Sequence, residues 1–225
     1  MNKLDLNNNQ ISDLSILEKV DFTELRELNL SYNQIKNTNI LEKVKVNFKK
    51  LKILDLSWNH NPDINILGKI DFKDLSELYL KYNDISDINI LEKVNSKELN
   101  KLDLSINKIA NINILEKVDF KELKELYLSG NQISNIKVFE KVDFKELNIL
   151  GLSNNKISNI NILEKVNFKE LKELYLCDNK ISDINILEKV DFSELKELDL
   201  NGNKINKEEN NSILTSLKSK INISI

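Results

Sequence analysis

The 225-residue chain is 40% hydrophobic and 31% charged, the composition of a folded protein and not of a disordered one. Its formal charge of −3 argues against a basic nucleic-acid or membrane-surface binder. The lone Cys177 excludes an internal disulfide, and no run approaches the roughly 18 apolar residues of a membrane helix. The opening residues Met1-Asn2-Lys3-Leu4-Asp5-Leu6 lack a basic region followed by an apolar run. They predict a cytoplasmic location, or a secreted or cell-surface one if further sequence precedes them.

One phrase recurs along the chain. Leu25, Leu51, Leu75, Leu99, Leu123, Leu147, Leu171 and Leu195 open it, 24 residues apart from Leu51 onward and 26 apart between Leu25 and Leu51. Met1 stands one period before Leu25, giving eight full repeats and a partial ninth. Each phrase starts Leu-x-x-Leu-x-Leu, a short strand with inward-pointing leucines, and successive strands are expected to pair in parallel about 4.8 Å apart. Asn9, Asn33, Asn59, Asn83, Asn107, Asn131, Asn155, Asn179 and Asn203 occupy the ninth position. A buried polar side chain at this period predicts a ladder that satisfies backbone groups where the strand turns. The Ile-Leu-Glu-Lys-Val segment predicts a helical turn on the convex side. Phe22, Phe48, Phe72, Phe120, Phe144, Phe168 and Phe192 are expected to form a stacked aromatic spine. One such unit cannot bury its own apolar edge, so stability comes from its neighbours.

Residues 1–205 are therefore assigned to the repeats and residues 206–225 to a C-terminal helical cap. Its helix, over roughly 208–220, puts Ile213, Leu214, Leu217 and Ile221 on one face. The N-terminus begins on the repeat itself, so its open parallel edge is a route to self-association.

The strand signature Leu-x-x-Leu-x-Leu-x-x-Asn-x-Ile resembles the leucine-rich-repeat family over essentially residues 1–205. The phrases Asn-Gln-Ile-Ser-Asp-Leu and Asn-Lys-Ile-Ser-Asp-Ile are similar to the short-repeat subclass of bacterial internalins and of a Ser/Thr phosphatase regulatory subunit. The convex segment here is longer. The resemblance implies an α/β solenoid, a right-handed horseshoe with a parallel concave sheet and short convex helices. It also implies a binder: a non-enzymatic protein–protein interaction module, with an enzyme's regulatory subunit or a surface adhesin as alternatives.

No catalytic constellation is legible. His60 and Cys177 lie five repeats apart, about 24 Å at strand spacing, too far for a nucleophile and its base. Neither has a second soft ligand nearby for a metal, no Gly-rich phosphate loop occurs, and the Gly-Gly-x-Gly-x-Asp signature of calcium-binding solenoids is missing. No cofactor is expected.

Positions 3, 5, 7 and 8 of each repeat are expected to project from the concave sheet or its rim. Tyr32, Tyr79, Tyr82, Tyr127, Tyr175 and Trp58 all fall at position 5 or 8, while every Phe falls at core or convex positions. That is the split expected between rings with a polar handle and rings without. At position 8, Tyr32, Trp58, Tyr82 and Ile106 stand on consecutive repeats, with Ile53 and Tyr79 on neighbouring strands. These six residues are the candidate partner-binding patch; the alternative is that rings merely favour strands and stack across them. Asn61, Pro62 and Gly68 make the third repeat irregular, and His60 reads as an exposed turn residue. Concave acids (Asp5, Glu27, Asp55, Glu77, Asp103, Glu125, Glu173, Asp178, Glu197, Asp199) outnumber Lys3, Lys81 and Lys101. A protein partner with basic and apolar contact groups fits this surface better than a nucleic acid or a membrane.

Overall fold

A computed structural model describes residues 1–19, 21–43, 45–46, 48–190 and 193–225. Its strands Lys3–Asp5, Glu27–Asn29, Ile53–Asp55, Glu77–Tyr79, Lys101–Asp103, Glu125–Tyr127, Ile149–Gly151, Glu173–Tyr175, Glu197–Asp199 and Asn222–Ser224 form one ten-stranded sheet in chain order. Every pairing is parallel and keeps the repeat register, so Leu28, Leu54, Leu78 and Leu102 align across adjacent strands. The protein is an α/β solenoid. Position-4 and position-6 leucines such as Leu54, Leu56, Leu78 and Leu80 are fully buried and meet the convex Ile and Leu side chains in one continuous core.

The convex turns of the eight full repeats are 3₁₀ helices, from Ser15–Lys19 to Asn185–Glu188, and Phe48–Lys50 is a further short one just before the third strand. Each of the eight is a single tight turn burying a leucine or its equivalent, too short for an α-helix to propagate. An Asn or Asp opens each one. The side chains of Asp13, Asn37, Asp63, Asp87, Asn111, Asn135, Asn159 and Asp183 accept the backbone N–H two residues on, at 2.8–3.0 Å. These side-chain turns do the work that Gly and Pro do elsewhere.

The asparagine ladder is present. Each Oδ1 of Asn33, Asn59, Asn107, Asn131, Asn155, Asn179 and Asn203 accepts a position-11 N–H of the preceding repeat at 2.9–3.0 Å. Its Nδ2 donates to carbonyls of two successive repeats, as Asn107 does to Leu80 and Leu104. Among the described residues, no buried side-chain nitrogen or oxygen lacks a partner.

The aromatic spine differs from expectation. Phe72, Phe120 and Phe144 are buried, but Ser96 interrupts the row and donates to the Leu75 carbonyl. The rings meet edge-on: Phe48 with Phe72 at 5.6 Å, and Phe168 with the convex Phe139 at 5.7 Å. Phe192 lies outside the described residues. Lys45–Val46, near the two extra residues, pair in parallel with Asp21–Phe22 in a separate two-stranded sheet. At the C-terminus an α-helix over Asn211–Lys218 buries Ile213, Leu214 and Leu217, with Ile221 half-buried. The segment is more than helical: Asn222–Ser224 adds the last strand beside Glu197–Asp199.

Candidate functional site

Position 8 is where the chain leaves each strand. Its N–H donates to the position-7 carbonyl of the next repeat, as from Tyr32 to Ser57, Trp58 to Lys81, Tyr82 to Ser105 and Ile106 to Ser129, at 2.7–3.0 Å. That ladder fixes the backbone whatever the side chain. The backbone it fixes is left-handed: φ runs from 52° to 70° at Asn8, Tyr32, Trp58, Tyr82, Ile106, Gly130, Asn154, Asp178 and Gly202. Asn, Asp and Gly tolerate this region; bulky and β-branched residues do so at about 1 kcal/mol or more each. Five of the nine occupants are of the tolerant kind. Tyr32, Trp58, Tyr82 and Ile106, in consecutive repeats, are not.

Three of these four are brought together. Tyr32 stacks on Trp58 at 4.9 Å and 11°, and Trp58 on Tyr82 at 3.7 Å and 14°. Stacked pairs of this kind recover about 0.5–1.5 kcal/mol each, which offsets much of the backbone strain. Ile106 continues the row without a ring partner and is 42% exposed; Tyr32, at the other end, is 50% exposed. The result is a ladder of three ring edges, extended by Ile106, along the rim of four repeats.

The other two predicted residues stand elsewhere. Ile53 sits on its strand between Glu27 and Glu77 in register. Tyr79 belongs to a second group, in which Tyr79, Tyr127 and Tyr175 donate their O–H to Glu77, Glu125 and Glu173 two residues before them. Lys101 rises between the first two, its Nζ 5.6 Å from the Tyr79 ring centre, 5.4 Å from that of Tyr127 and 2.8 Å from a Glu125 oxygen. Burial, then the carboxylate partner, pushes the Tyr79 and Tyr127 phenols up; for Tyr175 the Glu173 hydrogen bond comes first, then burial.

Position 7 projects in some repeats only: Ser31, Ser57 and Ser105 are buried, whereas Asn7 and Asn201 are exposed. In all five the N–H turns back onto the Asn or Asp side chain two residues earlier, at 2.9–3.1 Å. Asp55 and Asp103 are therefore turn residues as well as concave acids. Burial pushes the Asp55 carboxyl above its ordinary value, and it does the same to the half-buried Cys177 thiol. Among the described residues no group of three or more His, Cys, Asp or Glu side chains could hold a metal ion, and no helix is long and apolar enough to cross a membrane.

Comparison with known proteins bears on this arrangement. A family model for leucine-rich repeats in two copies matches residues 121–165, and a single-repeat model matches residues 23–38 and 194–208. A leucine-rich-repeat protein of Leptospira interrogans superposes with a TM-score of 0.77 at 26% identity, over 99% of this chain. The chain is built of leucine-rich repeats. It spans 60% of the Leptospira protein's length. The internalin InlF of Listeria monocytogenes is 26% identical with a TM-score of 0.71, over 96% of this chain and 67% of its own. The plant receptor-kinase ectodomain GASSHO1/SCHENGEN3 of Arabidopsis thaliana shares the fold at 23% identity and a TM-score of 0.62, over 91% of this chain and 30% of its own. A comparison with curated proteins gives no match.

Within the leucine-rich-repeat frame, the third repeat carries the departure. His60 and Asn61 both take positive φ, 54° and 71°, and Asn61 is exposed where most other repeats bury Ile. The Asn83 Oδ1, left without its usual partner, accepts the Asn59 N–H at 2.7 Å. This detour carries the exposed His60 edge-on to Tyr82, at 5.7 Å and 76°. His60 thus joins the aromatic ladder. Sequence reading kept it apart, because the detour is visible only in the backbone.

Proposed function

We propose that the chain is a non-enzymatic interaction module that binds a protein partner along the concave rim, with Tyr32, Trp58, Tyr82 and Ile106 as its anchor. One observation carries this reading: four consecutive repeats hold bulky or β-branched side chains at a left-handed position where Asn, Asp or Gly would be unstrained. A fold has no need of that strain, whereas clustered, rigid, part-exposed rings are what an interface hot spot requires. The partner's surface is apolar where it meets the ladder and basic where it faces Glu27, Glu77, Glu173 and Glu197. The plant ectodomain of the same fold was solved in complex with CASPARIAN STRIP INTEGRITY FACTOR 2, a use of the fold consistent with this reading.

The test is crosslinking capture with wild type and a Trp58→Asn, Tyr82→Asn double variant. Asn already occupies position 8 at Asn8 and Asn154, so the backbone is spared. A partner crosslinked to the strands at Ile53–Asp55 and Glu77–Tyr79 in wild type and lost in the variant supports the reading. Equal capture by both sinks it. The likeness to internalin InlF favours a second form of the same reading, a cell-surface adhesin, over an enzyme's regulatory subunit. Antibody labelling of intact cells, positive for an adhesin and negative for a cytoplasmic module, separates them.

A further inference from the structure

Two neighbouring stretches of the concave sheet have the same outline and different contents. In the first, Glu77, Lys101 and Glu125 align across three strands, and Tyr79, Asp103 and Tyr127 align beside them. Lys101 fills the centre, its ammonium within 5.6 Å of both ring centres and bonded to Glu125. Two repeats on, Glu125, Ile149 and Glu173 align, beside Tyr127, Gly151 and Tyr175. The flanking glutamates and tyrosines are repeated. The central lysine has become Ile149, which brings no charge, and the central aspartate has become Gly151, which has no side chain.

The second stretch is thus the first without its cation. Tyr175 donates to Glu173 at 2.7 Å as Tyr79 donates to Glu77, so the phenol and carboxylate are oriented in the same way. Among the described residues, no lysine or arginine forms an ion pair with Glu173 or with Glu197 on the next strand. Gly151 also shapes the gap: a Cβ there would stand 3.2 Å from Tyr127 Cδ1, so glycine lets the Tyr127 ring lean over this strand.

We infer that Tyr127, Tyr175 and Glu173 form a clamp for the ammonium or guanidinium of a Lys or Arg side chain on a protein partner, seated over Ile149–Gly151 as Lys101 is seated between Tyr79 and Tyr127. This rests on the reading that the concave face receives a protein. It names where that protein's positive charge goes. The attraction combines ring faces with a partly desolvated carboxylate, the setting in which cation–π contacts are strongest.

The clamp is testable without the partner. The full chain, with ring-labelled tyrosine, is titrated with Nα-acetyl-lysine methylamide and, as an uncharged control, with the norleucine analogue. The lysine compound moves the Tyr127 and Tyr175 ring signals saturably, and the norleucine compound does not. In Ile149→Lys the new side chain occupies the clamp from within, and binding of the compound weakens roughly tenfold or more. Glu173→Gln, which keeps the shape, weakens it in the same direction. Absence of a saturable shift in wild type, or equal binding by wild type and both variants, overturns the clamp. If wild type captures a protein that Ile149→Lys and Glu173→Gln capture equally well, the clamp falls and the protein-binding reading stands. If the lysine compound binds and wild type captures no protein, the clamp stands and that reading falls.

Discussion

Trp58 lies on Tyr82 with ring centres 3.7 Å apart, and both residues hold left-handed backbone, φ 58° and 56°. The two facts belong together. The turn after each strand is set by backbone bonds between repeats, so the side chain at that turn is free to vary at a cost in strain. Stacking returns part of that cost to Tyr32, Trp58 and Tyr82, which makes the ladder rigid as well as exposed. A rigid apolar edge loses little entropy on binding.

Ile106 tests the strain argument, since it has the unfavourable backbone without a ring to stack on. Ile106→Asn removes apolar contact worth about 1 kcal/mol at a site 42% exposed. It also relieves roughly 1–2 kcal/mol of left-handed strain at φ 53°. The variant is expected to be as stable as wild type or up to about 1 kcal/mol more stable in urea unfolding, and to bind the partner less well. A loss above about 1 kcal/mol would mean that burial at this position outweighs the backbone.

The asparagine ladder makes a harsher prediction. Asn107 Oδ1 accepts the N–H groups of Asn83 and Ile85 at 3.0 and 2.9 Å, and its Nδ2 serves the carbonyls of Leu80, Leu104 and Ser105. Asn107→Ala strands several buried backbone groups at once, at about 1–3 kcal/mol each where water cannot reach. A total loss of about 3 kcal/mol or more is expected in chemical denaturation. A loss under 1 kcal/mol would show that the ladder is replaceable by water.

The repeat, its leucine core and the asparagine ladder were legible in the sequence because each recurs at a fixed period and rests on a simple rule: apolar side chains inward, buried amides satisfied. The strain at Tyr32, Trp58, Tyr82 and Ile106 was not, although its signal was there. Asn8, Gly130, Asn154, Asp178 and Gly202 at the same position are the residues that tolerate positive φ, and reading that column as a backbone requirement would have exposed the four exceptions. The burial of Ser31, Ser57 and Ser105 was hidden for a different reason. Nothing in the leucine pattern separates them from the exposed Asn7 and Asn201, whose N–H groups fold back onto Asp5 and Asp199 in the same way. The closing strand Asn222–Ser224 was hidden as well, since Ile-Asn-Ile-Ser-Ile departs from the leucine signature.

Asp55 gives a pH-dependent prediction. Its carboxyl is raised above the ordinary 3.8, chiefly by burial, so folding favours its protonated form. The stability this group contributes is complete below that value and is lost as pH rises through the raised one; at pH 7 the ionised Asp55 is a burden. Asp55→Asn removes the charge and keeps an oxygen to accept the Ser57 N–H, now held at 2.9 Å. The variant is expected to melt higher than wild type at pH 7, with the advantage shrinking as the pH approaches 3. A lower melting temperature at pH 7 would contradict the assignment of burial as the dominant cause.

Gly68 stands where most repeats carry Glu, and the convex packing gives the reason. A Cβ at Gly68 would lie 2.6 Å from Ile90 Cδ1, on the neighbouring 3₁₀ turn Asn89–Lys93. The clashing atom is the end of a flexible side chain, so Gly68→Ala forces a rotamer change and not a backbone shift, at about 1 kcal/mol. Ile90→Val deletes that atom. The two substitutions should therefore couple: the double variant is expected to be about 1 kcal/mol more stable than the sum of the single changes, read from a double-mutant cycle in urea. Strict additivity would mean that the end of the Ile90 side chain does not limit what stands at Gly68. Coupling would mean that the neighbouring repeat selects it, as nearest-neighbour packing in a solenoid requires.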